Sequence, residues 1–428
     1  MLISSILLVV FGITSALYII HVGFYLVGAS LYDAWQYHRR HQLLPVSLQR
    51  YTPTVTLLMP AHNEELVVAR GLDSVFASQY TNLHVIVVND ASTDATAAIL
   101  RRYKRLHPHY SLRIINKRRN GGKGAALNDA LRRYVDSELV MMLDADSVLS
   151  PDAIKHAVSY FTDPLVAGVA ANVQIMNQHT PLSILQKLEH MISYRSKKAY
   201  SLTNCDFVIG GVASTYRTSI IRSVGFYDTD TLTEDISLSM KIVALGNRMH
   251  RIVYGADVAA ITEPVESFKA LFRQRFRWKY GSLQNIIKHK NLLDNNDPRY
   301  TPMLTMYRLP MAIITEIALL LLPVVWFYAV YISINEQTIL LIAGAYATIA
   351  FYTLLTIWYD ERLRWQERLR LSSYVPFAYF IYYIMDVIQI AAIAKCLFKT
   401  NNLLHRTDAQ STWISPIRIG GDMAVQSL

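Results

Sequence analysis

The chain predicts an α/β fold with a mostly parallel sheet, joined to an α-helical transmembrane part, and three observations carry that reading. From Thr54 onward, short apolar runs alternate with amphipathic stretches, the pattern of a sheet covered by helices on both faces. Strongly apolar segments flank this polar stretch on both sides. Polar signatures fall where the apolar runs end, and ligands of such sheets bind at the carboxyl ends of strands. At 428 residues, the chain exceeds one ordinary core, which points to two structural units.

Taken in order, Val55–Met59, Val85–Val88, Leu112–Ile115 and Leu139–Leu143 read as strands bounded by turn or polar residues. Leu66–Ser78, Ala95–Leu106 and Ala125–Tyr134 carry apolar residues at helical spacing. Two basic amphipathic segments follow. Pro181–Tyr200 places Leu182, Leu185, Leu188 and Ile192 on one helical face, with Lys197 and Lys198 beyond. Lys269–Lys290 holds seven Lys or Arg and no acid. Both suit helices lying in a membrane interface, or solvated basic helices packed on the domain.

Hydrophobic residues make up 52% of the chain and charged residues 17%, and the apolar excess is concentrated. Residues 2–31 carry no charge apart from His21. That run is long enough to span a bilayer and too long, without a basic leader, for a cleaved signal peptide. Further spans are expected near 309–332, 338–358 and 374–397. The expected organisation is a transmembrane helix over 1–35, a cytoplasmic catalytic domain over 36–266, an interface helix over 267–300, three transmembrane segments over 301–400 and a tail over 401–428. His38, Arg39, Arg40 and His41 directly follow the first span, which places the polar domain inside the cell. Arg362, Arg364, Arg368 and Arg370 agree with that, and Glu336 would be external. Lys399, Arg406 and Arg418 fit poorly: either the last span is re-entrant or the tail breaks the rule. The net charge of +10 reads as a membrane-surface signal, and no nucleic-acid motif accompanies it. Two cysteines, Cys205 and Cys396, form neither a disulfide framework nor a zinc spacing.

The candidate chemistry lies in four short signatures. Glu64 and Asp90 follow the first two strands, and Asp90 can accept a hydrogen bond from a base or cap the next helix. Asp144 and Asp146 flank one small residue at a strand end. Such a pair suits Mg²⁺ or Mn²⁺, with phosphate and water completing the octahedron, or caps a helix. Asn120-Gly121-Gly122-Lys123-Gly124 opens a helix. Its amides and Lys123 can meet a phosphate, or it is a glycine turn. Glu234 and Asp235 follow Thr233 at a helix start, as a general base with its neighbour or as an acid pair behind a Thr cap. Gln274 and Arg277 stand at i and i+3, with Trp278 beside them. They suit a diphosphate and the face of a sugar ring, or an interfacial helix anchored by Trp.

Taken jointly, these motifs resemble the processive family 2 glycosyltransferases of membranes, which include cellulose, hyaluronan, chitin and poly-N-acetylglucosamine synthases. The resemblance covers about Pro53–Lys290 and the flanking apolar layout. One leading span and three trailing ones look most like poly-N-acetylglucosamine and chitooligosaccharide synthases. It implies a GT-A nucleotide-sugar fold. It implies a UDP-sugar donor bound through Glu64, Asp90, Lys123, Asp144, Gln274 and Arg277, and a metal at Asp144 and Asp146. The catalytic acids would be Asp235, as base, and Glu234. Phe207, Gly210, Gly211 and Trp278 would border the polysaccharide acceptor. Inverting, processive transfer of N-acetylglucosamine with export is the implied activity. Single-step transfer to a lipid carrier, and a non-catalytic scaffold or transporter, are the alternatives. Glu316 and Asp386 lie inside expected spans, where charge is costly unless turned inward. Tyr379, Tyr382, Tyr383 and Gln389 surround Asp386 in sequence. Four spans are few for a pore, so membrane lipid and a small accessory membrane subunit or a second copy are expected partners.

Overall fold

A computed structural model describes residues 2–39, 51–176, 180–335, 339–360 and 362–398. A 37-residue helix, α1 (Leu2–His38), comes first. The sheet domain follows, with strands β1 (Val55–Ala61), β2 (Leu83–Asn89), β3 (Leu112–Asn116) and β4 (Leu139–Met142) alternating with helices α2 (Val68–Phe76), α3 (Thr96–Leu106) and α4 (Lys123–Arg133). Then come β5 (Ser147–Leu149), α5 (Ala153–Tyr160), β6 (Val166–Ile175), α6 (Pro181–Leu202), β7 (Ser214–Arg217) and α7 (Thr218–Ser223). α8 (Glu234–Ala244), β8 (Arg251–Thr262) and α9 (Phe268–Lys288) complete the domain. The C-terminal part holds α10 (Leu309–Asn335), α11 (Ile339–Trp358), α12 (Trp365–Ser373) and α13 (Ala378–Leu397).

The strand order is β3-β2-β1-β4-β7-β6-β8-β5. Pairs β1–β2, β2–β3, β1–β4 and β6–β8 are parallel, whereas β4–β7, β6–β7 and β5–β8 are antiparallel. The first four strands match the expected runs because both sheet faces are covered, so every second residue serves a different core. Leu57, Met59, Val85, Val87 and Met141 pack with α2, α3 and α5 on one face. Leu58, Ile86, Val88, Val140 and Met142 pack with α4 and α8 on the other. β5–β8 go beyond the strands expected from the sequence. The long strands β6 and β8 are rich in alanine and interrupted by glycine and polar residues, which blurs their pattern. β7 inserts antiparallel between β4 and β6, so the sheet is mixed.

β1 and β2 end in register, Ala61 opposite Asn89. The Asp90 amide donates to the Ala61 carbonyl at 2.9 Å. The loops after β1, β2 and β4 therefore emerge at one edge, where ligands of such sheets bind. Asn63 and Ala91, in the first two of these loops, hold φ of 55° and 56°, a region uncommon for residues other than glycine.

At about 1.5 Å per residue, α1 is longer than a bilayer core is thick. Its last turns dock on the sheet domain. Gly28 meets Ala199 of α6, where a Cβ would lie 2.6 Å from the alanine Cβ. Tyr32 donates to the Tyr254 carbonyl at 2.5 Å. Arg39 sits over the Tyr160 ring at 3.5 Å and faces Asp257 at 3.4 Å. Arg39, expected as a membrane-side charge, is instead buried in this joint. Arg40 and His41 lie outside the described residues.

α6 and α9 are sandwiched between the sheet domain and the C-terminal helices. Thr180 caps α6 ahead of Pro181, and Ser267 caps α9. Ile184 and Leu188 pack on Ile357 and Leu371, and Leu185 packs on Leu271 and Met385. Lys197 donates to the Val208 carbonyl at 2.8 Å, and Lys198 pairs with Asp33 at 2.5 Å. These basic groups, expected to face lipid or solvent, face protein partners.

Among the described residues one helix, Met303–Tyr331, is long and apolar enough to cross a membrane, with a mean hydropathy of 2.2. Trp365–Phe377 and Tyr382–Leu397 pass the same test as a pair bent by 70°. Glu336, Lys399, Arg406 and Arg418 lie outside the described residues, as does the side chain of Tyr379. Arg362 donates to the Ala256 carbonyl at 3.0 Å, so the α11–α12 loop rests against the sheet domain.

Candidate active site

One cation organises the cleft at the sheet edge. Lys123, the first residue of α4, reaches Asp144 Oδ1 at 2.5 Å and Glu234 Oε1 at 3.6 Å. Burial alone would lower its pKa, but Asp144, Glu234 and Asp235 around it push the ammonium above its usual range. Three segments far apart in sequence thus meet at one ammonium. Gly211 closes the same corner: a Cβ there would sit 2.7 Å from Lys123 Nζ and 3.6 Å from Asp235 Oδ2. At Gly210 a Cβ would meet nothing within 4 Å, so that side of the loop is open.

Asp235 is partly buried, and its carboxyl is pushed up to about 6. Burial is the main cause and Glu234 adds to it; Lys123, the Ile236 amide and Arg277 oppose both. Thr233 does not cap α8 through its side chain. It faces α9 instead, where Asn285 Nδ2 donates to Thr233 Oγ1 at 3.2 Å and to Thr231 Oγ1 at 3.1 Å. Gly281 permits that approach, since a Cβ would meet Thr233 Cγ2 at 2.6 Å and Cβ at 2.9 Å. Gly281→Ala is therefore expected to separate the Thr233–Asp235 segment from α9. Activity should fall about 10²-fold, with about 1–3 kcal/mol lost from stability through overpacking; steady-state kinetics and denaturant unfolding check both. Asp228 fastens the same segment to the end of α9. Burial would raise its pKa, but hydrogen bonds from Lys288, Ser237 and Lys241 hold it well below the usual carboxylate range.

The α9 signature divides its labour. Arg277 stands exposed, within electrostatic reach of Asp235. Arg275 is buried: it pairs with Glu189 of α6, donates to Gln274 Oε1 at 3.2 Å and lies over the Trp278 ring at 4.3 Å. His190 touches the same indole, with ring centroids 6.4 Å apart. Burial, then Arg275, lowers the His190 pKa to about 4, so the ring is neutral at pH 7. Glu189, Asn285 and Gly281 were not singled out in the sequence. The charge opposite Arg275 lies 86 positions away, and no local pattern marks it.

Asp90 and Phe207 depart from expectation. The Asp90 carboxylate is fully buried and accepts the Gly122 amide at 2.9 Å, the Gly121 amide at 3.1 Å and Lys117 at 2.9 Å. The glycine-loop amides expected to meet phosphate therefore hold Asp90. Phe207 lies in the core, 2% exposed, beneath the Arg308 guanidinium at 4.7 Å. It presents no face to an acceptor, because it packs in the same core cluster as Tyr200, Cys205 and Ile209. Glu64 is buried in the loop after β1, and its amide donates to Thr96 Oγ1 at 2.9 Å.

Asp144 is partly exposed, while Asp146 is 7% exposed and accepts from Ser147 Oγ at 2.9 Å. No cluster of three His, Cys, Asp or Glu side chains is poised for a metal among the described residues. Two carboxylates fit Mg²⁺ or Mn²⁺ shared with phosphate oxygens and water, because such ions are commonly held by one or two protein carboxylates.

A family model described as glycosyltransferase-like family 2 matches residues 53–281. Poly-beta-1,6-N-acetyl-D-glucosamine synthase of Staphylococcus epidermidis is 30% identical over 248 residues, 58% of this chain and 58% of that protein. The protein of the same name from Staphylococcus aureus (strain COL) is 29% identical over 236 residues, 55% of this chain and 56% of that protein. The match thus spans less than two thirds of the length of these curated relatives. The mannosyltransferase PcManGT from Pyrobaculum calidifontis, in complex with GDP-Man and Mn2+, superposes with a TM-score of 0.61 at 22% identity. That match covers 91% of this chain and 99% of the other and extends through the helical part. With its sheet, its acidic edge and these matches, the chain belongs to glycosyltransferase-like family 2 and is a glycosyltransferase of the GT-A fold.

Proposed function

We propose that the chain transfers N-acetylglucosamine from its UDP-sugar to the end of a growing β-linked polysaccharide, processively and with inversion. The observation that carries this is the convergence of Asp235, raised toward neutral pH, with Lys123 and Arg277 beside an open glycine loop. The likeness to poly-beta-1,6-N-acetyl-D-glucosamine synthases supports the sugar and the polymer.

Asp235 takes the proton from the acceptor hydroxyl as that oxygen attacks the anomeric carbon. The C–O bond to UDP breaks on the opposite face, so the configuration inverts and no covalent enzyme intermediate forms. Glu234 keeps Asp235 basic and holds Lys123 in place. Arg277, Lys123 and Gln274 face the diphosphate, and the two cations offset the charge that develops on it. Asp144 and Asp146 would hold Mg²⁺ or Mn²⁺, which when bound supplies further charge stabilisation to the diphosphate. Asp90, through the loop it fastens, and Glu64 border the nucleoside. Gly210, Gly211 and Trp278 border the acceptor, with the indole held between Arg275 and His190.

The reading extends to a multi-pass membrane protein with a cytoplasmic catalytic domain, built on the apolar helices α1, α10, α11 and α13. Glu316 of α10 pairs with Lys279 of α9 at 2.7 Å, and Asp386 of α13 lies within electrostatic range of Lys279 and Glu189. This polar seam leads from the Trp278 region into the helices and suits an exported sugar chain. Full-length protein in nanodiscs, given separate radiolabelled UDP-sugars, tests the proposal. A product ladder from UDP-N-acetylglucosamine is expected, abolished by EDTA and restored by Mg²⁺ or Mn²⁺. A single added sugar would favour a lipid acceptor, and absence of metal-dependent turnover would favour a non-catalytic role.

A further inference from the structure

A cavity of about 240 Å³ lies apart from the carboxylate cleft, between the end of α1, the middle of α6, the end of β6 and the α11–α12 loop. Its lining includes Asp33, Gln36, Gln174, Arg195 and Tyr254. Each carries a buried polar atom that makes no hydrogen bond among the described residues: Asp33 Oδ2, Gln36 Nε2, Gln174 Nε2, Arg195 Nε and the Tyr254 hydroxyl. Buried polar atoms are nearly always paired, so five orphans around one cavity mark a place for a polar ligand.

Charge then decides which ligand. Arg195 is 5% exposed, and its guanidinium faces no carboxylate among the described residues, only the Tyr359 ring at 5.5 Å. The other cations of the lining are engaged. Lys198 pairs with Asp33 at 2.5 Å, Lys187 pairs with Glu367, and Arg362 donates to the Ala256 carbonyl. The Asp360 carboxylate accepts the Arg362 amide at 3.0 Å. A guanidinium 5% exposed with no carboxylate partner among the described residues calls for an anion, and its planar N–H fork matches phosphate oxygens. The two amides and the phenol add donors, while Asp33 Oδ2 suits a ligand hydroxyl. The volume falls below the roughly 300–1,000 Å³ of sites for drug-sized ligands, so a headgroup fits and a nucleotide sugar does not. Tyr194 and Tyr254, stacked at 5.5 Å, also line it.

We propose that this cavity binds a phosphate group with neighbouring hydroxyls, the chemistry shared by a glycerophospholipid headgroup and free glycerol phosphate. The lipid source is within reach because the cavity lies at the ends of the apolar helices α1 and α11. α6, which lines the cavity through Arg195, also carries Glu189 and His190 against Arg275 and Trp278, so an occupant is joined to the transfer site by one helix.

The test uses the full chain in two formats. Native mass spectrometry reads retention of phosphatidylglycerol against phosphatidylcholine from mixed micelles. Calorimetry in phosphatidylcholine nanodiscs reads binding of glycerol 3-phosphate, with glycerol as the neutral control. Wild type is expected to retain the anionic lipid or to bind the soluble phosphate, and Arg195→Gln to weaken that binding about tenfold or more. Retention without soluble binding identifies the lipid as the source, and the reverse identifies the free phosphate. If Arg195→Gln fails to unfold cooperatively, Gln174→Leu carries the same expectation. Absence of both interactions in wild type, or binding undiminished in the variant that carries the test, overturns the proposal.

Discussion

Asp235→Asn is expected to lower kcat about 10²–10⁴-fold, the range of one positioned general base, with a smaller change in KM. The amide keeps the shape and loses the proton acceptor. The pH dependence follows from the raised carboxyl. The base must be ionised, so wild-type activity should rise with pH through about 6 and fall near tenfold per unit below it. The variant's residual rate should lack that limb. Stability runs the other way. A carboxyl whose folded pKa lies above its unfolded value contributes stability below about pH 4, and that contribution is lost as pH rises through 6. Ionised Asp235 therefore costs the resting enzyme on the order of 2–3 kcal/mol at pH 7.5. Asn carries no such cost, so the variant should unfold at a higher temperature than wild type at pH 7.5, with the advantage gone near pH 4. Unfolding midpoints across that range, beside UDP-release assays, check both halves. A variant that is inactive and less stable at neutral pH would argue for a structural role instead.

Glu189→Ala is expected to cost about 3–5 kcal/mol, because it leaves the Arg275 guanidinium buried without its counter-charge. Arg275 is 2% exposed, burial already lowers its pKa, and Glu189 is what opposes that shift. The Trp278 ring lies beneath Arg275, so transfer should fall together with stability. The double replacement Glu189→Leu with Arg275→Met should recover most of the stability, as apolar substitutes for buried ion pairs often do. It should not recover transfer, because the indole loses its cationic cover. Denaturant midpoints and kcat/KM measured on the three variants separate the two effects. Recovery of both by the double variant would show that the pair serves packing alone.

The parallel half of the sheet was readable because its strands are buried on both faces and become continuous apolar runs between turn residues. β6 and β8 were not, because alanine and glycine carry little pattern and their place follows from β7 inserting antiparallel between β4 and β6. The acidic signatures were visible as residue types at strand and helix ends. Their partners were not. Helical spacing set Gln274 and Arg277 on one face, yet it is Arg275 that the fold buries beneath α6. The glycine loop looked ready for phosphate, and its amides turn to Asp90 because that carboxylate is closed off from solvent. Phe207 sits beside an open glycine pair and still belongs to the core.

Order along the chain was enough to foresee the parallel strands β1–β4, the helices between them and the residue types of the chemistry, since each arises among near neighbours in sequence. Packing alone chose which cation meets which carboxylate: Lys123 with Asp144 and Glu234, Arg275 with Glu189, Arg195 with none among the described residues. Those choices join segments tens to hundreds of positions apart, and they turn on which groups lose water together, a quantity that no local spacing encodes.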